Sequence, residues 1–353
     1  MPKDRFTIQA VDASLDAVIQ LTLDNKTKPR DSLGQLEAVA AQIARIQQTL
    51  SPELSRLNHC VFAADHGVCA EGISRYPSDV TRQMVLNFAA GGAAINVFCR
   101  QQDVRLTVVD AGLNGESLPA HPNLIEARLG NGTANLMRHP AMTPDQYRQA
   151  VNKAVEIVEL QLAEGADILS FGEMGIGNTT AGAALMAACL HLDAAECVGA
   201  GSGSNRELID RKIEVVRQAL ALHRPRLSSG ETIMQHLGGF ELAMMAGAMA
   251  ATAELGKPFI VDGFLATAAL LTVWYDHPEI LDYALFSHVS AEQGHQRMLT
   301  ALQVRPLLHL DLCLGEGTGA VLAWPLVKAA VAILDEMASF ESAGVSGIPE
   351  GHG

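Results

Sequence analysis

Residues 167–180, with the sequence DILSFGEMGIGNTT, contain the pattern that decides the fold. The short apolar run at 168–171 leads into a glycine-rich turn, and a helix is predicted over 178–190. A continuous apolar run followed by a helix is typical of a parallel strand that is covered on both faces. This stretch is therefore interpreted as one strand–turn–helix unit.

The same unit recurs along the chain. About six such units are present, whereas a closed barrel needs eight, so the sequence predicts an α/β fold with an open, doubly wound, mainly parallel sheet. The other predicted strands are 59–64, 105–110, 196–199, 258–263 and 284–286, and the helices between them include 80–100, 144–163 and 205–222, with a loop at 113–142.

Two terminal segments lie outside this alternation of strands and helices. The region 10–50 is helical in its period, and a second apolar helix is predicted near the end of the chain. We expect a small helical domain made of 1–55 and 320–340, with the α/β domain at 56–319. The stretch 341–353 is rich in Gly and Ser and is predicted to be a flexible tail.

The composition restricts the class of protein. Of 353 residues, 48% are apolar and 18% are charged, which fits a globular α/β enzyme. The 25 basic and 39 acidic residues give a net charge of −14, and that charge repels phosphate backbones and anionic lipid. We therefore expect neither nucleic-acid nor membrane binding as the main role.

Signals for export, metal binding and cofactor binding are weak. No apolar segment of a secretory signal follows the N-terminus, and the six cysteines form no CxxC pair, so we expect reduced thiols and a cytoplasmic location. None of the twelve histidines has a metal-ligand spacing such as HExxH, and His288 and His295 are interpreted as two independent positions. We predict neither a metal nor a cofactor.

Two glutamates are flanked by glycine. Residues 310–320 have the sequence LDLCLGEGTGA, in which Glu316 stands between two glycines before an apolar helix, and Glu173 follows Gly172 in a similar setting. Because glycine permits unusual torsions and close approach, these acids are candidates for proton transfer in one pocket. The alternative interpretation is that each acid complements a helix N-terminus.

Two glycine-rich turns precede helices. Residues 175–180 and 200–205 place small residues where backbone N–H groups can bind an anion, and Lys212 can add a cation. The first turn is neither a P-loop nor a GxGxxG motif. Two amide-rich turns with few cations suit a sugar phosphate better than a triphosphate, which would need Mg²⁺ and an acidic metal site. Helix capping and tight packing, with a solvated Lys212, are the alternative interpretation.

Polar residues follow most of the predicted strands. Ligands of open parallel sheets bind beyond the carboxyl ends of the strands, so these residues are expected to converge on one site. They are Asp65, His66, Glu173, Gly201, Ser202, Asp262, Gly263, Ser287, His288 and, by extension, Glu316.

These stretches together resemble a known family, the nicotinate-nucleotide–dimethylbenzimidazole phosphoribosyltransferases. The resemblance runs in order from about residue 28 to residue 335. Its motifs are KP at 28–29 with SLGQLE at 32–37, ADHGV at 64–68, GEMGIGNTT at 172–180, DGFL at 262–265, SHVSAE at 287–292 and LGEGTGA at 314–320.

The resemblance implies a Rossmann-like domain with a small helical domain, acting as a homodimer. It also implies transfer of phosphoribose from nicotinate mononucleotide to 5,6-dimethylbenzimidazole, with inversion at C1 of the ribose. Glu316 would be the catalytic base, with its pKa raised by burial, and Glu173 would help order the site. The nucleotide and its phosphate would be bound by Gly175, Ile176, Gly177, Asn178, Gly201, Ser202, Lys212, Asp262 and Ser290.

The predicted base pocket departs from the family pattern. It contains Tyr76, Met84, Met174 and Leu314. Relatives often have Ser, Gln and Leu at the first three of these positions, so this pocket is richer in sulfur and aromatic groups. Cys313 stands where relatives commonly have Arg. The same transfer to another benzimidazole, a purine or a phenol is therefore an alternative.

Two further hypotheses compete with the transferase. A non-catalytic nucleotide-binding protein on the same fold would bind ligand and form no product. A dinucleotide-dependent dehydrogenase is disfavoured, because no GxGxxG motif follows the first strand.

Overall fold

The computed structural model describes residues 5–199 and 205–346. These residues contain a six-stranded sheet in which neighbouring strands are parallel. The strands are β1 (Leu57–Ala64), β2 (Arg105–Gly112), β3 (Leu124–Glu126), β4 (Ile168–Met174), β5 (Phe259–Val261) and β6 (Ala284–Phe286).

Helices connect the strands and cover the sheet. In chain order they are α1 (Asp16–Asp24), α2 (Gln35–Gln47), α3 (Asp79–Ala90), α4 (Ala94–Gln102), α5 (Pro144–Ala163), α6 (Asn178–Leu190), α7 (Ala194–Cys197), α8 (Arg206–His223), α9 (Gly230–Leu237), α10 (Phe240–Glu254), α11 (Phe264–Trp274), α12 (His295–Leu302), α13 (Thr318–Glu336) and α14 (Phe340–Ala343). Short 3₁₀ helices lie at Gly67–Glu71, Arg224–Arg226 and Pro278–Tyr283.

The strand order confirms the predicted fold class. It is β3-β2-β1-β4-β5-β6, the order of a doubly wound Rossmann sheet. The direction of winding reverses between β1 and β4, and ligands of such sheets bind beyond the carboxyl ends of the strands at that point. The Glu173 motif lies at the end of β4, directly beside this switch point.

Side chains of β1 alternate between two hydrophobic clusters. Cys60 and Phe62 pack with α5 to α12, whereas Val61 and Ala63 pack with α1 to α4 and α13. On the first face, the rings of Phe62, Phe171 and Phe259 form a row across β1, β4 and β5, with centroids 6.2 and 6.3 Å apart. A one-residue slip would turn these rings to the other face, so this row helps to fix the register.

Helix α13 is part of the core. By length and composition it is apolar enough to cross a membrane, but more than half of it is buried inside the protein. Its Val321, Trp324 and Val327 pack in the same cluster as α1, α2 and strand residues. A helix of this kind gains its stability by burying apolar surface in the core. The domain limits at 55 and 320 stay a prediction.

Three predicted elements differ from those observed. The helix predicted over 80–100 is two helices, because Gly91 ends α3 with a φ of +80° and the Asn96 side chain caps α4 by accepting a hydrogen bond from Ala93 N. The strand predicted at 196–199 is wrong, because Asp193 caps the short helix α7 by accepting from Ala195 N. The loop predicted at 113–142 contains the edge strand β3, which is too short to show a period.

Candidate active site

The turn at Glu316 joins a loop to α13 in an uncommon backbone conformation. Gly315, Glu316 and Gly317 have φ values of +87°, +61° and +78°. This left-handed region suits glycine, and other L-residues adopt it at a cost. Gly172 on β4 makes room for the turn, because a Cβ at that position would overlap backbone atoms of Glu316 and Gly317. Glycine is therefore required both in the turn and in the strand beneath it.

The Glu316 carboxyl group is buried. Its Oε2 accepts a hydrogen bond of 3.2 Å from Ile95 N, in the first turn of α4, where N–H groups lack partners within the helix. Burial raises the pKa of Glu316 above its ordinary value of 4.5, the Ile95 N–H group lowers it, and Asp262 raises it further. The predicted rise is confirmed. Glu316 is thus a stronger base than a free glutamate, with a donor that stabilises its charged form.

Glu173 lies near the end of β4 within the sheet, not on a free turn as the sequence indicated. Strand pairing continues through Glu173 and Met174, which are opposite Phe62 and Ala63. Burial raises the pKa of Glu173 well above 4.5, and the charges of Glu241 and Asp262 add to that rise. The amide of Asn178 donates a hydrogen bond to its Oε2.

The surroundings of the two acids separate their pKa values. Glu173 has several acidic neighbours, including Glu316, and its pKa rises the further of the two. Glu316 keeps the backbone donor of Ile95. Two carboxyl groups whose surroundings separate their pKa values can act as an acid and a base in one site. These surroundings therefore favour ionisation of Glu316 over ionisation of Glu173.

Asp262 and His288 fasten the start of α13 to the sheet. Asp262 Oδ1 accepts a 3.1 Å hydrogen bond from Ala320 N and lies 3.8 Å from His288 Nδ1. Gly319 packs so closely against the His288 ring that a Cβ would not fit. Burial raises the pKa of Asp262, and the His288 imidazole opposes that rise. Asp262 is thus an anchor of the Glu316 helix within the described structure.

Ser290 and His295 form a second polar link. Ser290 N donates to His295 Nδ1 at 2.8 Å, and Ser290 Oγ donates to Leu312 O at 3.3 Å. The His288 and His295 rings meet edge-on with centroids 6.3 Å apart, so these positions are neighbours in space, contrary to the interpretation from spacing. In residues 5–199 and 205–346, no group of three or more His, Cys, Asp or Glu residues is arranged to hold a metal ion.

The predicted phosphate-binding turn borders a cavity. The cavity has a volume of about 90 Å³, and its lining includes Gly175, Ile176, Gly177, Asn178 and Lys212. These residues come from the start of α6 and from α8, so the structure brings together five residues that sequence analysis assigned to the nucleotide. A larger cavity of about 630 Å³ lies between α5, α9, α10 and α11, and none of the predicted site residues that the structure describes lines it.

One feature of the turn differs from the expectation of free N–H groups. Ile176 N already donates to Thr81 Oγ1 at 3.0 Å. Lys212 is buried, and its Nζ donates to Thr179 Oγ1 at 3.3 Å. Burial lowers the pKa of Lys212, and Glu292 opposes that change. The predicted residues Gly201 and Ser202 lie outside the described residues.

The four predicted base-pocket residues divide into two pairs. Met84 and Met174 are half-buried and pack on the cluster that contains Phe88 and Ile95, on the side of the sheet that carries the Glu316 turn. Tyr76 lines the small cavity and is 53% exposed. Leu314 is 58% exposed, two residues before Glu316.

His66, which the sequence placed at the site, has a buried partner beneath the phosphate-binding turn that was not predicted, Glu241. His66 Nε2 lies 2.6 Å from Glu241 Oε1, and neither side chain is exposed. Burial disfavours a charged His66, but the Glu241 carboxylate outweighs this, so the pKa of His66 is raised. The signal in the sequence is Glu241 itself, an acid near the start of the otherwise apolar stretch FELAMMAGAM.

Comparisons with known proteins agree with this geometry. A family model described as phosphoribosyltransferase matches residues 8–345. The nicotinate-nucleotide–dimethylbenzimidazole phosphoribosyltransferase of Photobacterium profundum is 48% identical over 341 residues, covering 97% of this chain and 99% of that protein. The protein of the same name from Shewanella baltica is 46% identical over 353 residues, covering 97% of this chain and 98% of that protein.

A solved structure extends the similarity to the whole fold. The crystal structure of CobT from Thermus thermophilus has a TM-score of 0.91 and 48% identity, covering 94% of this chain and 98% of that one. In each of these comparisons the matched part spans nearly the whole of both chains. The chain belongs to the nicotinate-nucleotide–dimethylbenzimidazole phosphoribosyltransferase family.

Proposed function

We propose that this protein transfers phosphoribose from nicotinate mononucleotide to 5,6-dimethylbenzimidazole, giving α-ribazole 5′-phosphate and nicotinate for assembly of the cobalamin nucleotide loop. The names of the relatives support this activity over transfer to another base. The observation in the structure that carries the proposal is the buried Glu316 carboxyl group beside Glu173, two acids with separated pKa values at the switch point of the sheet.

The leaving group needs little assistance. Nicotinate mononucleotide is a pyridinium glycoside, so when the C1–N bond breaks, its electron pair neutralises the ring nitrogen. Positive charge then develops on the ribose, and the nearby Glu316 carboxylate can stabilise it. One nitrogen of the benzimidazole attacks C1 from the opposite face, which inverts the configuration there.

Glu316 accepts the proton that this attack releases. As one azole nitrogen bonds to C1, the N–H group on the other nitrogen becomes acidic, and its proton passes to the Glu316 carboxylate and later to water. A positioned general base of this kind contributes about 10²–10⁴ in rate. Because the pKa of Glu173 rises the further of the two, Glu173 is less ready than Glu316 to carry a negative charge at this site.

The substrate contacts follow the arrangement of the cavity. The phosphoribose of the nucleotide is assigned to Gly175, Ile176, Gly177, Asn178 and Lys212, which share the lining of the small cavity. Gly201, Ser202, Asp262 and Ser290 complete the assignment made from the resemblance. The incoming base is assigned to Met84 and Met174, with Tyr76 and Leu314 at the exposed side.

The protein is proposed to act as a cytoplasmic homodimer. The resemblance supports the dimer, and the exposed apolar side chains of Leu310 and Leu314 lie in the loop that leads to Glu316, where a partner subunit would cover them. The six cysteines are free thiols, as suits a reducing compartment. They are Cys60, Cys69, Cys99, Cys189, Cys197 and Cys313.

The test is an assay for the product with a single substitution. Nicotinate mononucleotide is incubated with 5,6-dimethylbenzimidazole, and nicotinate and α-ribazole phosphate are measured by mass. We expect release of nicotinate to depend on the base, and Glu316→Gln to lower kcat by about 10²–10⁴. Glu126→Gln, an exposed site on β3, is the matched control and should keep wild-type activity.

Two outcomes would contradict the proposal. Turnover of Glu316→Gln within a few-fold of wild type would remove Glu316 as the base. Thermal stabilisation of the wild-type protein by nicotinate mononucleotide, with no product on long incubation, would favour the non-catalytic nucleotide-binding protein instead.

A further inference from the structure

His59 lies in the middle of β1, directly beneath the Glu316 turn. Its Nε2 is 2.9 Å from the backbone oxygen of Glu316, and its Nδ1 is 2.7 Å from Ser170 Oγ. His59 and Ser170 are register partners on adjacent strands, so their side chains point to the same face of the sheet. The side chain of His59 is completely buried, and the chemistry proposed above does not use it.

The partners of the ring define its tautomer. The Glu316 backbone oxygen is an acceptor, so His59 Nε2 must carry the hydrogen and donate it. Nδ1 is then an acceptor, and the Ser170 hydroxyl group donates to it. Burial lowers the pKa of His59 to about 4, although both of its hydrogen-bond partners oppose this shift. The ring is therefore neutral near pH 7 and is enclosed by protein.

The turn above the ring needs support. Glu316 is a non-glycine residue in the left-handed region, an unfavourable conformation that persists only where the surroundings enforce it. The ring of His59 packs so closely on Gly317 that a Cβ at that position would overlap its Cε1 and Nε2. His59 thus both donates to the turn and forms the surface on which the turn lies.

We propose that His59, oriented by Ser170, is a positioning residue for the catalytic base: its hydrogen bond to the Glu316 backbone holds the left-handed turn and so aims the carboxylate at the incoming base. This inference rests on the proposed function. Since His59 acts through Glu316, it is expected to affect the chemical step and to leave binding of the nucleotide at the α6 turn unchanged. A displacement of a catalytic group by about 1 Å can cost about 10²-fold in rate.

The experiment compares two substitutions at His59 with one at a matched histidine. Gln can place an amide N–H group near the position of imidazole Nε2, whereas the shorter Asn cannot reach Glu316. His223 is the control, because it is also completely buried and its Nε2 lies 2.7 Å from a backbone oxygen, that of Leu136. His223→Asn should lose stability to a similar degree without touching the Glu316 turn.

The expected results separate positioning from general stability. His59→Asn should lower kcat by about 10–10²-fold, with a KM for nicotinate mononucleotide within about threefold of the wild-type value. His59→Gln should recover most of the wild-type kcat. His223→Asn should keep the wild-type kcat. In a Glu316→Gln background, His59→Asn should add little to the loss. Equal losses in His59→Asn and His223→Asn, failure of Gln to restore kcat, or full additivity with Glu316→Gln would each overturn the proposal.

A second readout does not need turnover. Hydrogen exchange of the amides in residues 315–320 should accelerate in His59→Asn and stay at the wild-type rate in His59→Gln and His223→Asn. If His59→Asn does not fold, Ser170→Ala provides the test, because loss of the hydroxyl donor should raise the same exchange and lower kcat by several-fold. Unchanged exchange and kcat would refute the role. A wild-type protein that forms no product would refute the proposed function, while exchange still reports on positioning.

Discussion

The substitution Gly172→Ala would move the Glu316 turn while adding only one methyl group. Gly172 lies on β4 beneath the turn, and a Cβ built there lies about 1 Å inside ordinary van der Waals distance from backbone atoms of Glu316 and Gly317. Backbone atoms cannot rotate away as a side-chain end can. The turn must therefore shift outward by about 1 Å, away from the His59 ring.

A shift of that size predicts a large effect on catalysis. A misplacement of about 1 Å costs on the order of 10² in rate, and overpacking of this kind costs about 1–3 kcal/mol of stability. Alanine in a strand is otherwise more favourable than glycine by about 0.5–1 kcal/mol, so the substitution has no intrinsic penalty of its own. We expect kcat to fall by about 10²-fold while the KM for nicotinate mononucleotide stays close to that of wild type.

The assay is the initial rate of nicotinate release, with urea unfolding of the same samples. Gly247→Ala is the control, because Gly247 packs tightly against Val151 and Ala154 at the contact between α5 and α10, on the face of the sheet opposite α13. It should lose some stability and keep its kcat. If Gly172→Ala is folded and its kcat lies within about threefold of wild type, the turn is not held in place by the strand beneath it, and the reasoning is refuted.

Two further predictions concern protonation. Asp262 helps to raise the pKa of Glu316, and the proposed base acts when it is ionised. Asp262→Asn should therefore move the acid side of the kcat–pH profile to lower pH. If the acid side stays in place or moves to higher pH, relative to wild type with the same acceptor, this prediction is contradicted. Glu173 has a folded-state pKa well above 4.5, so above about pH 4.5 its carboxyl group binds more protons in the native protein than in the unfolded protein. The contribution of Glu173 to the free energy of unfolding therefore falls as pH rises through the folded pKa. Glu173→Gln removes that dependence, so the variant should become more stable relative to wild type as pH rises. The measurement is urea unfolding of both proteins at about pH 5 and about pH 8. A difference in stability that stays constant would show that Glu173 is ionised in the native state.

The fold was predictable because its strands are short apolar runs that each precede a helix. The runs at β1, β2 and β4 to β6 are continuous and buried, which is the pattern of a sheet covered on both faces. The edge strand β3 escapes prediction, since three residues of intermediate or full exposure carry no period. The apolar residues near Cys197 were predicted to form a strand, because periodicity alone cannot distinguish a short strand from one turn of helix.

The candidate site was predictable where glycine marks a constraint on the backbone. Gly315, Gly317 and Gly177 all have positive φ, and they stand beside the residues that sequence analysis selected. The residues that support the Glu316 turn could not be predicted in this way. His59, Ser170 and Ile95 contact Glu316 or one another across 111 to 257 residues of sequence, and no local pattern reports such contacts. Only the register of β1 against β4 brings His59 and Ser170 together.

The placement of Glu316, the proposed base, follows from the alternation of side chains in β4. Ser170 and Gly172 face the helical layer that contains α13, whereas Phe171 and Glu173 face the opposite layer. The first face supports the Glu316 turn from below, and the second carries Glu173 toward Glu241 and Asn178. Glu316 and Glu173 therefore approach each other over the carboxyl edge of the sheet while belonging to different layers. Because separate packing environments surround them, burial and neighbouring charges raise the pKa of Glu173 further than that of Glu316, and this difference supports the proposal that Glu316 is the carboxylate that takes up a proton.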